Sequence, residues 1–159
     1  MALQILLNVL IAVTWMFMSS SFTASTFTIG YLLGLFMIIL MGRFFRERLY
    51  IWRLWAALKL LLLFIKELAM SNVDMLKVVL SPKLDIQPII FALPTELEHD
   101  WEITLLSMLI TLTPGTVVLN VSEDQKTLYI HAIDSDDVDE SIRSIKDTFE
   151  KAILEVSRP

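Results

Sequence analysis

Two long apolar runs open the chain, and neither contains a charged residue. The first extends from Ala2 to Met18 and the second from Phe22 to Gly42, with the link Ser19-Ser20-Ser21 between them. A helix needs about 20 apolar residues to cross a membrane, with about 17 as the lower limit. The second run meets this length, and the first lies at its lower limit. The pattern therefore predicts an antiparallel transmembrane hairpin over residues 1–42.

Small and polar residues within the hairpin bear on how its helices pack. Gly30 and Gly34 stand four residues apart, a spacing that permits another helix to approach closely. Glycine is also common in membrane helices without such a role, and that reading stays open. Asn8 and Thr14 in the first run can form hydrogen bonds across the helices.

A basic cluster follows the hairpin directly and consists of Arg43, Arg46, Arg48 and Arg53. Basic residues next to a membrane segment mark its cytoplasmic side, so we expect both ends of the hairpin inside and the serine link outside. A cleaved signal peptide would need a basic segment at its start, and no basic residue precedes Arg43. Residue 1 is therefore expected to remain in the mature protein.

Residues 43–80 form the second predicted segment, a basic amphipathic helix in the membrane interface. At about 100° per residue, Lys59, Lys66 and Lys77 share one side of the helix and Arg53 borders it, while the opposite side is apolar. A charged stripe along a whole helix is typical of one that lies in the interface and contacts lipids. A third membrane span over residues 49–66 remains the alternative, because this stretch is apolar.

A different pattern begins after Ser81-Pro82, where proline ends the helix. Residues 81–159 are predicted to form a small cytoplasmic α+β domain of order β-α-β-β-α, in which two helices cover one sheet. Its elements are a strand Leu84–Leu93 with Pro88 at an edge or bulge, a helix Glu98–Leu112, strands Thr116–Val121 and Thr127–Ile133 joined as a hairpin, and a helix over residues 137–156.

Three elements of this domain also have a predicted inner face. In the first helix it consists of Trp101, Leu105, Met108, Leu109 and Leu112, beside a polar stripe of Asp100, Thr104, Ser107 and Thr111. In the following strand it consists of Val117, Leu119 and Val121, and in the last helix of Val138, Ile142, Ile145, Phe149 and Ile153. Caps and negative charge at the start of the last helix come from Ser135, Asp136, Asp137, Asp139 and Glu140.

Composition supports a membrane protein whose two halves carry opposite charge. Charged residues make up only 19% of the chain, below the ~25% typical of soluble domains. Residues 1–80 have seven basic and three acidic residues, net +4, whereas residues 81–159 have six and fifteen, net −9. The acidic half argues against a nucleic-acid partner. The absence of cysteine excludes disulfides and thiol catalysis.

The most distinctive local motif is Thr113-Pro114-Gly115-Thr116. Pro114 and Gly115 fit the central positions of a type II turn, because proline presets φ and glycine accepts a positive φ. We predict a structural turn between helix and sheet rather than a binding loop, since a single glycine provides no nucleotide cradle.

The remaining polar clusters do not predict catalysis or metal binding. His131 and Asp134 at a strand end are interpreted as a hydrogen-bonded domain corner, because catalysis needs a nucleophile, a base and an orienting group in contact. Around His99, consecutive acids on a helix start point in different directions and favour a solvated cap; they are Glu96, Glu98, Asp100 and Glu102. The acidic cluster from Asp134 to Glu140 lacks the spacing of a calcium loop. We predict no catalytic residue, metal site or cofactor.

Residues 1–42 contain no Lys, Arg, Asp, Glu or His. Ion and proton pathways use ionisable groups inside the bilayer. The hairpin therefore offers no conducting residue, and in a transporter these residues would lie on other chains.

The order of several motifs resembles the E subunit of Mrp-type multisubunit sodium/proton antiporters. The motifs are the apolar start with Asn8 and Trp15, Gly30…Gly34, the segment Arg43–Trp55, Thr113-Pro114-Gly115-Thr116 and His131-Ala132-Ile133-Asp134. The resemblance implies a bacterial plasma-membrane complex that exchanges cytoplasmic sodium for external protons and supports alkali and salt tolerance. In such a complex this chain would be an accessory subunit for assembly, with other subunits as partners.

The same residues bear on two other possible functions. A membrane-tethered regulatory module that binds a small ligand is the main alternative, because small α+β domains often bind ligands. A membrane-bound enzyme is disfavoured, because the sequence has no nucleophile motif, metal motif or charged site.

Overall fold

The computed structural model describes residues 2–44, 49–82, 86–134 and 137–158. The chain divides into two compact units, Met1–Leu54 and Trp55–Pro159. Some residues used in the predictions lie outside the described ranges: Arg46 and Arg48 of the basic cluster, Leu84 of the first predicted strand, and the capping residues Ser135 and Asp136.

The first unit is built on two helices, α1 (Ala2–Met18) and α2 (Ala24–Leu40). Thr23 caps α2, since its hydroxyl accepts a hydrogen bond from the Thr26 amide at 3.2 Å. A 3₁₀ turn, Met41–Phe44, follows α2, and the third helix, α3 (Tyr50–Leu80), begins in this unit.

Close contact between α1 and α2 depends on the two glycines. A Cβ at Gly30 would lie 2.9 Å from the Cα of Ala12, and a Cβ at Gly34 would overlap Oδ1 of Asn8. Because Gly30 meets a later residue of α1 than Gly34 does, the two helices run antiparallel. Of the two readings left open for the glycine pair, these contacts support the close approach of another helix.

The first unit has an inverted distribution of polar and apolar side chains. Gln4 and Asn8 are buried between the helices, whereas large apolar side chains point outward, among them Leu3, Leu6, Leu10, Phe17, Leu32 and Phe36. Within the described residues, no helix combines the length and the apolar character needed to cross a membrane. The transmembrane hairpin over residues 1–42 remains a prediction.

Helix α3 is 31 residues long and begins at Tyr50, later than the predicted start of its segment at residue 43. Leu60 and Phe64 pack into the core of the second unit. Lys59, Lys66 and Lys77 are exposed. The charged side of this part of the helix therefore lies away from the core.

The second unit has the predicted order β-α-β-β-α after α3. Its elements are β1 (Ile89–Pro94), α4 (Asp100–Leu112), β2 (Thr116–Val121), β3 (Thr127–Ala132), α5 (Val138–Ile145), a π-helical turn (Lys146–Glu150) and α6 (Lys151–Ser157). The antiparallel sheet has the order β1-β3-β2. Its buried face carries Phe91, Leu93, Leu128 and Ile130, which share a core with α4 and with Phe149 and Ile153.

The first strand is shorter than predicted and begins directly after Pro88. Proline has no N–H to donate to a neighbouring strand, so the ladder starts at Ile89, which faces Ala132 of β3. Of the two alternatives predicted from Pro88, an edge or a bulge, the strand order agrees with the edge.

The predicted inner face of β2 is right at Val121 but wrong at Leu119, because the strand contains a bulge. Val118 is opposite Ile130, but Asn120 is opposite Tyr129, so Leu119 is an extra residue. Val118 and Val121 pack against the core, while Leu119 is 55% exposed.

The predicted inner face of α4 is also wrong in part. Its buried side is formed by Glu102, Ile103, Leu106, Leu109 and Ile110, whereas Trp101, Met108 and Leu112 are exposed. The helix is apolar around most of its circumference, so periodicity alone does not select the side that meets the sheet.

The last helix is interrupted rather than continuous. Asp137 caps α5, since its carboxylate accepts hydrogen bonds from the amides of Asp139 at 2.8 Å and Glu140 at 3.3 Å. All five residues of its predicted inner face pack on the core, so that prediction is confirmed. The π-helical turn adds a residue to one turn of the helix. As a result Glu150 is buried beside Phe149.

Candidate functional site

A polar cluster joins the hairpin to the start of α3. The backbone N–H of Tyr50 donates to Oε1 of Gln4 at 2.9 Å, and Nδ2 of Asn8 donates to the Tyr50 hydroxyl at 2.8 Å. The hydroxyls of Tyr50 and Tyr31 lie 3.0 Å apart. Thr14 instead donates to the Leu10 carbonyl of its own helix at 2.8 Å, so only the Asn8 part of the predicted cross-helix bonding is present.

A cavity of about 450 Å³ in the second unit brings together several of the motifs from the sequence. Its apolar floor includes Phe91, Ile110 and Phe149. Its polar rim consists of Glu67, Ser71, Thr113, Thr116, Asp134, Asp137, Glu140, Ser141 and Ser144. The turn 113–116 and the acidic start of α5 thus border one cavity, although they are distant in sequence.

The motif Thr113-Pro114-Gly115-Thr116 closes α4 through hydroxyl hydrogen bonds. The Ile110 carbonyl accepts from the hydroxyls of Thr113 at 2.7 Å and Thr116 at 2.8 Å. These bonds add to the 3.3 Å hydrogen bond that the same carbonyl accepts from the Thr113 amide at the end of the helix. Gly115 has φ +97°, and its carbonyl accepts from the Ile133 amide at 2.9 Å. The segment therefore links the end of α4 to the end of β3.

His131 and Asp134 occupy different surroundings. His131 is half-buried in β3, opposite Ile90 and Val117, between the core residues Ile130 and Ala132 that point the other way. Asp134 lies on the cavity rim, where its carboxylate accepts from the Gln87 amide at 3.1 Å. His131 does not belong to the cavity lining among the described residues.

Three of the four carboxylates on the cavity rim have structural partners. Asp137 caps α5, Asp134 holds the Gln87 amide, and Glu67 lies 3.4 Å from the ammonium of Lys66. Within the described ranges, no group of three or more His, Asp or Glu is placed to hold a metal ion. The cavity presents negative charge and hydroxyl groups above an apolar floor.

Glu102 is a buried carboxylate that was predicted to belong to a solvated cap. One oxygen accepts from the amides of Glu98 at 3.0 Å and His99 at 3.2 Å, and the other accepts from the Ser157 hydroxyl. Burial alone would raise the pKa of Glu102, but the hydrogen bonds from Ser157 and the two amides outweigh it and lower this pKa. Glu102 thereby ties α6 to the start of α4.

Glu150 is the second buried carboxylate, and no sequence signal marked it. Its Oε1 accepts from the Thr95 hydroxyl at 2.9 Å and from the Glu96 amide at 2.5 Å. Its Oε2 is buried without a hydrogen-bond partner among the described residues. The contact fixes the segment after β1 against the π-helical turn.

The four residues of the predicted interfacial stripe all lie on α3. In the first unit, Arg53 is half-exposed. In the second unit, Lys77 pairs with Asp74 at 2.7 Å and Lys66 with Glu67 at 3.4 Å, while Lys59 is exposed. Such exposed pairs contribute little to stability, so the stripe remains a surface feature.

Comparison with known proteins identifies the relatives of the chain. Residues 8–156 match the MNHE family, described as Na+/H+ ion antiporter subunit. The chain is 54% identical over 158 residues to the E subunit of the Na(+)/H(+) antiporter of Bacillus subtilis (strain 168), and the match covers 99% of this chain and 100% of that protein. It is 52% identical, with the same coverage, to the corresponding E subunit of Alkalihalophilus pseudofirmus.

Two solved membrane complexes contain chains of similar structure. One is the membrane-bound sulfane sulfur reductase, an archaeal respiratory membrane complex, with a TM-score of 0.56 and 27% identity over 94% of this chain and 96% of that chain. The other is the Mrp complex from Dietzia sp. DQ12-45-1b, with a TM-score of 0.50 and 29% identity over 62% of this chain and 93% of that chain.

Together, the fold and these likenesses define a membrane-associated component of an ion transporter, not an enzyme. The chain belongs to the MNHE family of Na+/H+ antiporter subunits. The family resemblance seen in the sequence is therefore confirmed over nearly the whole chain.

Proposed function

We propose that the chain is an accessory subunit that assembles with other subunits into a multisubunit Na+/H+ antiporter of a bacterial plasma membrane. In this complex it contributes packing surface, and the groups that conduct sodium and protons belong to its partners. The observation that carries the proposal is the absence of any Lys, Arg, Asp, Glu or His in residues 1–42. Ion pathways in membranes rely on such groups.

The proposed location of α1 and α2 is within the membrane. Each helix has 17 residues, near the lower limit of about 17 for a membrane span. Their polar side chains Gln4 and Asn8 are buried, and their large apolar side chains face outward. This inverted distribution suits a surface that contacts lipid or neighbouring apolar helices.

The proposed location of the acidic domain is the cytoplasm, with part of α3 in the membrane interface. The basic residues after the hairpin favour the cytoplasmic side, and Lys59, Lys66 and Lys77 form an exposed charged side of α3. A reporter fused after Pro159 is expected to be active only in the cytoplasm. Activity of the reporter outside the cell would contradict both locations.

Purification of the chain from native membranes tests the subunit role directly. An affinity tag on the chain is expected to recover large, multi-helix membrane proteins in fixed proportion to it. The same tag on an unrelated membrane protein of similar size serves as the control. Recovery of the chain alone under mild detergent conditions would refute the proposal.

A second candidate function is a regulatory module that binds a small ligand in the cavity bordered by residues 113–116 and α5. The volume of about 450 Å³ and the apolar floor with a polar rim favour it. Ser144→Phe would fill the cavity from its rim. The regulatory function requires this change to alter transport per assembled complex, whereas the assembly function requires transport per complex to stay unchanged.

A further inference from the structure

Tyr50, the first residue of α3, is held by side chains from both helices of the hairpin. It is only 6% exposed, and its N–H donates to Gln4 while its hydroxyl contacts Asn8 and Tyr31. We call Gln4, Asn8 and Tyr31 the Tyr50 socket. Every contact in it lies within the compact unit Met1–Leu54.

The socket supplies a cap that the local sequence of α3 does not provide. The first N–H groups of a helix have no intrahelical acceptor, and a Ser, Thr, Asp or Asn before the helix usually accepts from one of them. The residue before α3 is Leu49, whose side chain has no acceptor. The Gln4 side chain, which is 46 positions away, accepts from the Tyr50 N–H instead.

Asn8 places a second requirement on the hairpin. Its side chain is fully buried, and Oδ1 has no hydrogen-bond partner among the described residues. A Cβ on Gly34 would overlap this oxygen and would lie 3.2 Å from Cβ of Ile11. Small residues in general allow two helices to pack closely. Asn8 adds a specific reason for glycine at position 34, because any larger residue there would overlap its side-chain oxygen.

We propose that the first turn of α3 is an integral part of the membrane anchor, and that occupation of the socket by Tyr50 sets the stability of that anchor. This inference rests on the proposed function, in which the hairpin is surrounded by lipid and apolar helices. In such surroundings no water replaces a lost partner, so an empty socket would deprive the Asn8 amide and the Tyr31 hydroxyl of the partner that Tyr50 supplies. The anchor accordingly comprises three segments and ends near Leu54, not at residue 42.

A double-mutant cycle on the purified full-length chain in detergent tests the socket. Asn8→Leu and Tyr50→Phe each remove the hydrogen bond between Asn8 and Tyr50, and Tyr50→Phe also removes the contact of that hydroxyl with Tyr31. Each is expected to raise the unfolding equilibrium constant roughly threefold, which corresponds to ~0.6 kcal/mol for such a bond in a membrane protein. The double variant is expected to raise the constant by less than the product of the two single effects, because the Asn8–Tyr50 bond can be lost only once. Multiplicative effects in the double variant would overturn the proposal.

Matched controls separate the socket from a general loss of polar groups. Thr14→Val removes a hydroxyl that bonds only within α1, and Tyr129→Phe removes an exposed hydroxyl of the sheet. Both are expected to leave the unfolding constant unchanged within the error of the measurement. An equal effect of Thr14→Val and Asn8→Leu would contradict a specific role for the socket.

A rescue experiment tests the link between Asn8 and Gly34. Gly34→Ala is expected to reduce the folded fraction strongly, and Asn8→Ala in the same chain to restore part of it, because the overlap with Oδ1 is removed. No rescue would contradict the pairing. These measurements use the chain without partners, so their failure is distinct from failure of the subunit role, which the co-purification experiment reports.

Discussion

At the scale of single residues, the acidic domain depends on carboxylates that are buried and hydrogen-bonded. Glu102 joins the amides before α4 to Ser157 of α6, and Glu150 joins the segment after β1 to the π-helical turn. Both connect elements more than 45 positions apart in sequence. The sequence pattern predicted Glu102 on the surface and did not single out Glu150, because an acid at a helix start or within a helix is exposed in most proteins.

Acid stability of the domain is expected to depend on Glu102. Its pKa in the folded chain lies below the ordinary value of 4.5. Its contribution to the free energy of unfolding is therefore complete above pH 4.5 and is lost as the pH falls through the folded pKa. Glu102→Gln is expected to lower stability at neutral pH and to flatten this acid dependence in denaturant titrations. Glu98→Gln, which alters an exposed carboxylate, is the control; equal pH profiles for wild type and Glu102→Gln would contradict the assignment.

Gly115 is expected to be required for folding and not for transport. Its φ of +97° strains any residue with a β-branched side chain. Gly115→Val should therefore lower the free energy of unfolding by about 1–3 kcal/mol and reduce the amount of assembled complex. Antiport per assembled complex should stay near the wild-type value. Normal assembly with abolished transport would instead place residues 113–116 in the mechanism.

At the scale of elements, the order β-α-β-β-α was predictable because proline, glycine and polar turns mark its boundaries. It was less predictable which side of each helix or strand packs on the core. The bulge at Leu119 inserts one residue into β2, which simple alternation does not contain. The inner face predicted for the last helix is confirmed, because all five of its residues pack on the core despite the π-helical turn. The prediction for the inner side of α4 was wrong in part for another reason, since the apolar arc of this helix is wider than the side that meets the sheet.

The bulge in β2 makes a specific prediction about neighbouring side chains. Val118→Ala is expected to cost about 1–2 kcal/mol of stability, because Val118 packs on the core. Leu119→Ala removes a larger but exposed side chain and should change stability by less than about 0.5 kcal/mol. Denaturant unfolding of the two variants measures the difference. A larger effect at Leu119 would mean that side chains alternate regularly along β2, and would contradict the bulge.

At the scale of the whole molecule, the sequence divides into an apolar start without charge, a basic segment and an acidic part, and this division was clear from composition alone. The Tyr50 socket was not, because Gln4, Asn8, Tyr31 and Tyr50 meet only after three segments have packed. Asn8 was recognised as able to form a cross-helix hydrogen bond, but its partner was not. Among the described residues, no group of three or more His, Asp or Glu side chains is placed to hold a metal ion. The family is one of transporter subunits.

The central claim, that this chain supports an antiporter without conducting ions itself, is tested most directly by sodium-dependent proton exchange in membrane vesicles. Rates are measured for Asn8→Leu and Thr14→Val and divided by the amount of assembled complex. Asn8→Leu is expected to reduce assembly, while the sodium concentration for half-maximal exchange and the pH profile stay unchanged for both variants. A shift of either quantity at constant assembly would mean that the hairpin lines the ion path, and would contradict the claim.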